Sequence, residues 1–170
     1  PNGVSLAPHR DVAYVTARNA GELVALDLSA MRVIARAPVC AEPTAVLVGP
    51  SEASVLVACA PDRELVAVDP GSLRVTRRVA LPDEPGAMAL TDDGAVVVTH
   101  PRTGGVTRLD AATLAVTARG SVPERPWAGH PLRANGVPRA LHDVAQRPRT
   151  GELWIPHTLL SVTAAQPALN

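Results

Sequence analysis

The chain has 170 residues, a length that suits one domain. Hydrophobic residues make up 46% of it and charged residues 19%, so the chain is too apolar and too weakly charged to be disordered. Sixteen basic residues, all of them arginine, balance sixteen acidic residues, and no basic run occurs. This balance argues against a surface that binds nucleic acid.

No apolar stretch approaches the roughly 20 residues that a membrane-spanning helix needs, so no transmembrane segment is predicted. The chain begins at Pro1 and shows no signal-peptide pattern. We therefore expect a processed or truncated piece of a longer polypeptide.

Proline and glycine interrupt the chain throughout, with 17 and 12 copies. Such punctuation leaves no room for long helices and favours many short strands joined by turns. Because Phe is absent and only one Tyr and two Trp occur, the core must be built from Val, Leu, Ile and Ala.

An internal repeat of about 42 residues organises the sequence. Its three copies begin at Pro1, Pro43 and Pro85, and a partial fourth copy covers residues 140–158. Each copy holds four short apolar runs, which in the second copy are residues 45–48, 54–60, 64–69 and 74–81. Four antiparallel strands at this period predict an all-β fold of β-propeller blades, with a β-sandwich as the less regular alternative.

The repeat divides the chain into successive units. They are blade one at 1–42, blade two at 43–84, blade three at 85–122, a Pro-rich insertion at 123–139 and the start of a fourth blade at 140–170. About three and a half four-stranded blades do not close a ring of the usual size, so we expect a partial ring, part of a seven- or eight-bladed propeller. The partners expected for its exposed apolar faces are the remaining blades, elsewhere in the native polypeptide, or a second half-ring.

An aspartate recurs at the end of the third strand of each copy, as Asp27, Asp69 and Asp110. A carboxylate there can accept hydrogen bonds from the backbone amides of the following turn. Repetition in every blade favours this structural role over catalysis.

The stretch AYVTA at 13–17, preceded by PNGVSLAP and followed by GELVALD, resembles the YVTN-type β-propeller repeat. The resemblance covers residues 1–122 and part of 140–158, although the second and third copies depart from it with VLVACA and AVVVTHP. It implies a bacterial protein located in the periplasm or outside the cell.

Some members of this family carry a c-type cytochrome domain, often like a di-haem peroxidase, and residues 137–160 resemble such cytochrome-linked propellers. The resemblance therefore implies an electron-transfer role in which a cytochrome domain of the same polypeptide is a partner. No CxxCH motif occurs, so any haem c would be attached elsewhere in the full polypeptide.

Chemically reactive side chains are predicted to collect at one face. In a blade whose strands alternate in direction, the loop before the first strand and the loop after the second open on the same side. The residues assigned to these loops or next to them are Cys40, Cys59, His100, His130, His142 and His157.

Among the histidines, His142 is the leading site candidate, because with Asp143 it is predicted to begin the channel-lining strand of blade four. His157 and His100 follow, and the three together are candidate metal ligands, since imidazole binds metals in its neutral form. For His100 a plain structural role in the loop is favoured. Arg139 could supply an anion-binding charge.

Trp127 and His130 lie in the Pro-rich insertion. An aromatic ring on a rigid loop is typical of a contact surface. The alternative is that the Trp127 ring is buried and anchors the loop over the channel.

Cys40 and Cys59 are predicted at the same end of blade two. They could form a disulfide in an oxidising compartment, where a loop of this length would stabilise the fold by about 3 kcal/mol. The alternative is a pair of free, partly buried thiols.

The common catalytic signatures GxSxG, HExxH, GxxxxGK[ST] and GxGxxG do not occur. The favoured function is a non-catalytic scaffold whose channel face binds a partner domain or ligand. The alternatives are a metal-dependent enzyme with a histidine site at the channel mouth and a structural cell-surface repeat protein.

Overall fold

The computed structural model describes residues 2–123 and 136–161. Within these ranges the chain forms short β-strands and three single-turn 3₁₀ helices. None of the helices found there has the length and apolar character required to traverse a lipid bilayer.

Three antiparallel sheets follow one another along the chain, each with its four strands in sequence order. Blade one contains β1 (Val4–Ala7), β2 (Val12–Ala17), β3 (Glu22–Asp27) and β4 (Arg32–Pro38). Blade two contains β5 (Pro43–Val48), β6 (Val55–Cys59), β7 (Glu64–Val68) and β8 (Val75–Ala80). Blade three contains β9 (Met88–Leu90), β10 (Ala95–His100), β11 (Gly105–Asp110) and β12 (Val116–Ser121).

The repeat is visible in the backbone as well as in the sequence. Each blade carries a register shift between its third and fourth strands, at Ala25/Leu26, Ala67/Val68 and Arg108/Leu109. A bulge at this place bends and twists the outermost strand of the blade.

The aspartate that ends each third strand holds the next turn together. Its Oδ1 accepts a 2.7 Å hydrogen bond from the backbone amide three residues later, at Ala30, Ser72 and Thr113 in the three blades. These bonds, with those from the Ser72 and Thr113 hydroxyls, hold the pKa of Asp69 and of Asp110 below its usual range. The turn then places Met31, Leu73 and Leu114 in the left-handed region at φ 49°, 54° and 57°.

Apolar side chains fill the space between successive blades. At the first junction, between blades one and two, fully buried Leu23 meets Val57 and Val66. Tyr14 crosses this junction and donates a 2.9 Å hydrogen bond to the Pro70 carbonyl, and burial raises the pKa of its phenol. At the second junction, between blades two and three, Leu56 and Leu65 pack against Val96, Val98 and Leu109.

Blade four differs from the expected arrangement. Its first two strands are the short pair β14 (Ala145–Gln146) and β15 (Leu153–Trp154), which pack on blade three through Val144 and Leu153. A separate two-stranded ladder joins β13 (Gly136–Arg139) to β16 (Thr158–Ser161). The prediction that His142 and Asp143 begin the inner strand is wrong, because that strand starts at Ala145 and they lie in the irregular segment before it.

Candidate functional site

A groove of about 770 Å³ opens on the side of the arc where the innermost strands begin. Part of its lining precedes the first strand of a blade or lies at the start of that strand, including Asn2, Gly3, Thr44, Glu84, Pro85, His142 and Asp143. The other part follows the second strand, at Arg18, Ala60, Pro101 and Arg102. All four blades therefore contribute to one open site, and both types of loop reach it.

The two arginines of the groove each lie near a carboxylate. Arg18 donates from Nε and from its terminal nitrogen to Glu42 Oε2, at 3.0 and 2.7 Å. The Arg102 guanidinium lies 3.6 Å from Asp83 Oδ1. Both guanidinium groups remain about half exposed or more, so they retain donors for a ligand at the rim.

Asp83 is a carboxylate in an almost fully buried position, 5% exposed. Burial raises the pKa of Asp83. The hydrogen bonds from the Glu84 amide and the Thr103 hydroxyl, together with the positive charge of Arg102, lower it by more than burial raises it, so the pKa of Asp83 lies below its usual range. Its Oδ2 has no hydrogen-bond partner within the part of the chain that the structure describes. A negative charge is thus fixed close behind the exposed Arg102.

His142 and Asp143 are the exposed residues that blade four adds to the groove. The His142 amide donates to the Ala140 carbonyl at 2.8 Å, and Asp143 Oδ1 accepts from the Val144 amide at 2.8 Å. In a β-strand, neighbouring side chains point to opposite faces of the sheet. His142 and Asp143 do not lie in a strand, and both of them line the groove.

The segment before His142 is fastened to blade three. Thr99 Oγ1 donates to the Leu141 carbonyl at 2.7 Å, and the Ala140 amide donates to the Pro101 carbonyl at 2.8 Å. Gly86 permits this approach, since a Cβ there would lie 2.5 Å from the Pro101 ring and 3.0 Å from the Leu141 carbonyl. The position of His142 is therefore set by direct contacts with the neighbouring blade.

His100 lies elsewhere, as the last residue of β10 and only 1% exposed. Its Nδ1 is 3.3 Å from the Glu84 carbonyl and its Nε2 is 2.8 Å from the Thr107 hydroxyl. Since a carbonyl only accepts, Nδ1 carries the proton and Nε2 accepts from Thr107. Burial lowers the pKa of His100, and the hydrogen bond to the Glu84 carbonyl, which raises the pKa, offsets only part of this effect. The ring is therefore neutral, and both of its nitrogens are hydrogen-bonded.

Two other predicted residues, His157 and Arg139, are not part of the groove lining. His157 is exposed after β15, with Nδ1 2.9 Å from the Ile155 carbonyl. Arg139 ends β13 and donates to the Thr103 and Pro138 carbonyls at 3.2 and 2.8 Å. Trp127 and His130 lie outside the described residues, and their roles stay predictions.

The three candidate metal ligands His100, His142 and His157 do not converge. Over residues 2–123 and 136–161, a single set of three or more His, Cys, Asp or Glu groups lies within 4.8 Å, namely Cys40, Cys59 and Asp62. Both thiols of that set are joined in a disulfide, so they are not free to bind a metal.

The Cys40–Cys59 disulfide ties the segment that enters blade two to the end of β6, with a Cα separation of 6.1 Å. Cys59 is fully buried in the core between blades one and two. In the repeat alignment His100 is the blade-three equivalent of Cys59, and it bonds to the segment that enters blade three. At equivalent positions, the entry to blade two is therefore held by a disulfide and the entry to blade three by a histidine hydrogen bond.

Arg18 and Arg102 were not among the predicted site residues. They come one and two residues after the positions selected from the repeat, in the loops that follow the second strands. The loops that follow the second strands open on the entry side, so all residues of these loops, and not only the first position, could have been predicted to reach the groove.

The architecture is that of a β-propeller: three complete four-stranded blades and the first two strands of a fourth. No family model and no curated protein sequence matches the chain. Hydrazine synthase from Kuenenia stuttgartiensis has a TM-score of 0.75 over 96% of this chain at 16% identity. A streptogramin B lyase structure has a TM-score of 0.68 over 91% at 13% identity, and a chain of a mitotic checkpoint complex has the same values.

At these identities the likeness concerns the fold alone, and it confirms the predicted propeller. The chain spans 43%, 47% and 43% of the lengths of these three neighbours, less than half in each case.

Proposed function

We propose that this arc is a non-catalytic binding scaffold whose entry-side groove receives a partner domain or ligand. The observation that supports the proposal is the groove itself, because all four blades line it and blades one, three and four contribute exposed polar side chains to it. Arg18 and Arg102 supply positive charge, Glu84 and Asp143 supply negative charge, and His142 adds an exposed imidazole. Mixed charge on an open surface suits the complementary surface of another protein domain.

We further propose that the partner is a c-type cytochrome domain of the same polypeptide and that the scaffold serves electron transfer. The support is the YVTN-type repeat and the resemblance of residues 137–160 to cytochrome-linked propellers. Haem c would then be attached outside these 170 residues. The Cys40–Cys59 disulfide supports a periplasmic or extracellular location, since such bonds persist in oxidising compartments.

The alternative of a histidine metal site receives no support from the described residues, because His100 is buried and engaged while His157 lies outside the groove lining. We therefore retain the scaffold as the single proposal.

The first test is an absorption spectrum of the full-length native gene product before and after reduction. A Soret band that shifts on reduction is expected. A flat spectrum would refute the cytochrome link and leave the groove proposal to be decided separately.

The second test compares amide hydrogen exchange at residues 84–88 and 140–144 in the full-length product and in the 170-residue chain. Docking predicts slower exchange in the full-length product, and His142→Ala with Arg102→Ala should remove part of that protection. His157→Ala is the matched control, because this exposed histidine lies outside the groove lining and should change nothing. Equal exchange in the two proteins would refute docking. Unchanged protection after deletion of residues 124–136 would refute a role of the Pro-rich insertion in docking.

A further inference from the structure

Three potential metal ligands meet where the chain enters blade two. Cys40 Sγ, Cys59 Sγ and an oxygen of the Asp62 carboxylate all lie within 4.8 Å of one another. Cys40 comes from the entry segment, Cys59 ends β6, and Asp62 lies in the turn that follows β6. In the disulfide form the two sulfurs are bonded to each other, so the set becomes available to a metal only when that bond is reduced.

The repeat does not account for the carboxylate in this set. Asp62 corresponds to Ala20 in blade one and to Thr103 in blade three, since the residue that follows each of them has positive φ. The turn therefore forms without a carboxylate in the other two blades. The disulfide gives Cys40 and Cys59 a structural role, but it does not require a carboxylate beside them.

Contacts other than the disulfide hold the backbone at the three positions. Cys59 lies in β6, which is paired with β5 on one side and with β7 on the other. The Ala60 amide donates to the Glu42 carbonyl at 3.3 Å and fixes the start of the turn against the entry segment. The Cys40 amide donates to the Gly21 carbonyl at 3.4 Å. We expect these bonds to keep the ligand-bearing backbone in place after reduction, although the fold is then less stable.

Two thiolates and a carboxylate are a donor set that suits a zinc ion. Thiolate sulfur is a soft ligand that selects Zn²⁺ over hard cations, and a carboxylate oxygen can complete the protein ligands. On a tetrahedral zinc two sulfurs lie about 3.8 Å apart, which is close to the contact distance of two sulfurs that are no longer bonded. Asp62 is exposed, so water can reach the fourth position.

We propose that reduction of the Cys40–Cys59 bond converts this disulfide into a zinc site, with both thiolates and the Asp62 carboxylate as its ligands. The proposal is independent of the groove function and of the cytochrome link, because none of its residues lines the groove.

The reductant in this conversion is a dithiol. One of its sulfurs attacks Cys40 Sγ, because Cys40 is half-buried whereas Cys59 is fully buried, and Cys59 leaves as the thiolate. The second sulfur of the dithiol then displaces Cys40, so the protein gains two electrons and the dithiol is oxidised to a disulfide. The two protons of the dithiol pass to the protein thiols, and zinc displaces them to solvent when it binds.

Zinc binding by the reduced and the oxidised 170-residue chain tests the proposal. A phosphine reductant opens the disulfide and is removed under nitrogen, Zn²⁺ is added, and the metal that stays with the protein is measured after gel filtration. We expect about one zinc per reduced chain and none on the oxidised chain, since the site needs both thiolates. Cd²⁺ in place of zinc should give an ultraviolet thiolate-to-metal band with the reduced chain only.

The Asp62→Ala variant separates the three-ligand site from binding by two thiols alone. Loss of a residue that only supports a metal ligand costs about 10–100-fold in metal affinity, so loss of a direct ligand should weaken zinc binding at least about tenfold. Thr103→Ala changes the equivalent turn of blade three, so it is the matched control and should leave the affinity unchanged. Cys40→Ala with Cys59→Ala should bind no zinc after the same treatment.

Urea unfolding distinguishes a site in the folded chain from thiols that bind zinc in an unfolded one. Zinc bound to the folded, reduced chain should raise its unfolding midpoint. Three results would each overturn the proposal: a reduced chain that binds no more zinc than the oxidised chain, an Asp62→Ala variant that binds zinc as tightly as the unsubstituted chain, or a midpoint that zinc leaves unchanged.

Discussion

Reducing the Cys40–Cys59 bond opens a loop whose ends are 19 residues apart in sequence. In the chain-entropy treatment, a cross-link of this span restricts the unfolded chain enough to contribute about 3 kcal/mol to stability. Because a domain is stable by only about 5–15 kcal/mol in total, the loss should be large. With a urea dependence of about 2 kcal/mol per molar, the unfolding midpoint should fall by about 1.5 M.

The assay is equilibrium urea unfolding of the oxidised and the reduced chain, with mass spectrometry after alkylation to verify that both thiols are free. The control is Cys40→Ala with Cys59→Ala, on which the reductant should have no effect. Identical midpoints for the oxidised and the fully reduced chain would refute the reasoning, because the disulfide would then contribute nothing through the unfolded state.

Three further predictions concern the blade junctions. Tyr14→Phe removes the hydroxyl that donates to the Pro70 carbonyl, and should lower the free energy of unfolding in urea by about 1 kcal/mol; an unchanged midpoint would contradict this. Leu73→Ala should cost about 2–5 kcal/mol because Leu73 is buried at the first junction, whereas Met31→Ala in the 170-residue chain should cost less than about 0.5 kcal/mol because the equivalent Met31 side chain is exposed; equal losses would contradict this difference in burial. Burial lowers the pKa of His100 from 6.5, so the unfolded chain binds a proton that the folded chain does not, and stability should fall as pH drops below about 6.5. His100→Gln should flatten that dependence between pH 7 and 5, and an unaltered profile would exclude His100 as its source.

The sequence predicted most of the fold because the same four-strand pattern occurs in three aligned copies of the repeat. The four runs assigned in blade two, 45–48, 54–60, 64–69 and 74–81, differ from β5–β8 by at most two residues at any end. Short apolar runs between turn residues mark such strands well, and three aligned copies remove ambiguity about their limits.

The site was harder to predict because its geometry departs from the repeat. His100 was assigned to a loop, yet β10 extends through it and blade three closes over its ring, which only the packed structure reveals. His142 was assigned to a strand, yet contacts of Leu141 and Ala140 with blade three hold this segment in an irregular conformation. Neither effect leaves a local pattern in the sequence.

Cys59 and His100 occupy equivalent positions, and this gives the two junctions different environmental sensitivities. A reductant at neutral pH acts on the entry to blade two and leaves His100 uncharged. Mild acid in the absence of reductant favours protonation of His100 at the entry to blade three and leaves the covalent bond intact. Reduction and mild acid would therefore weaken two different, successive blade entries, and a protein purified under one of these conditions would be destabilised at a different place from a protein purified under the other.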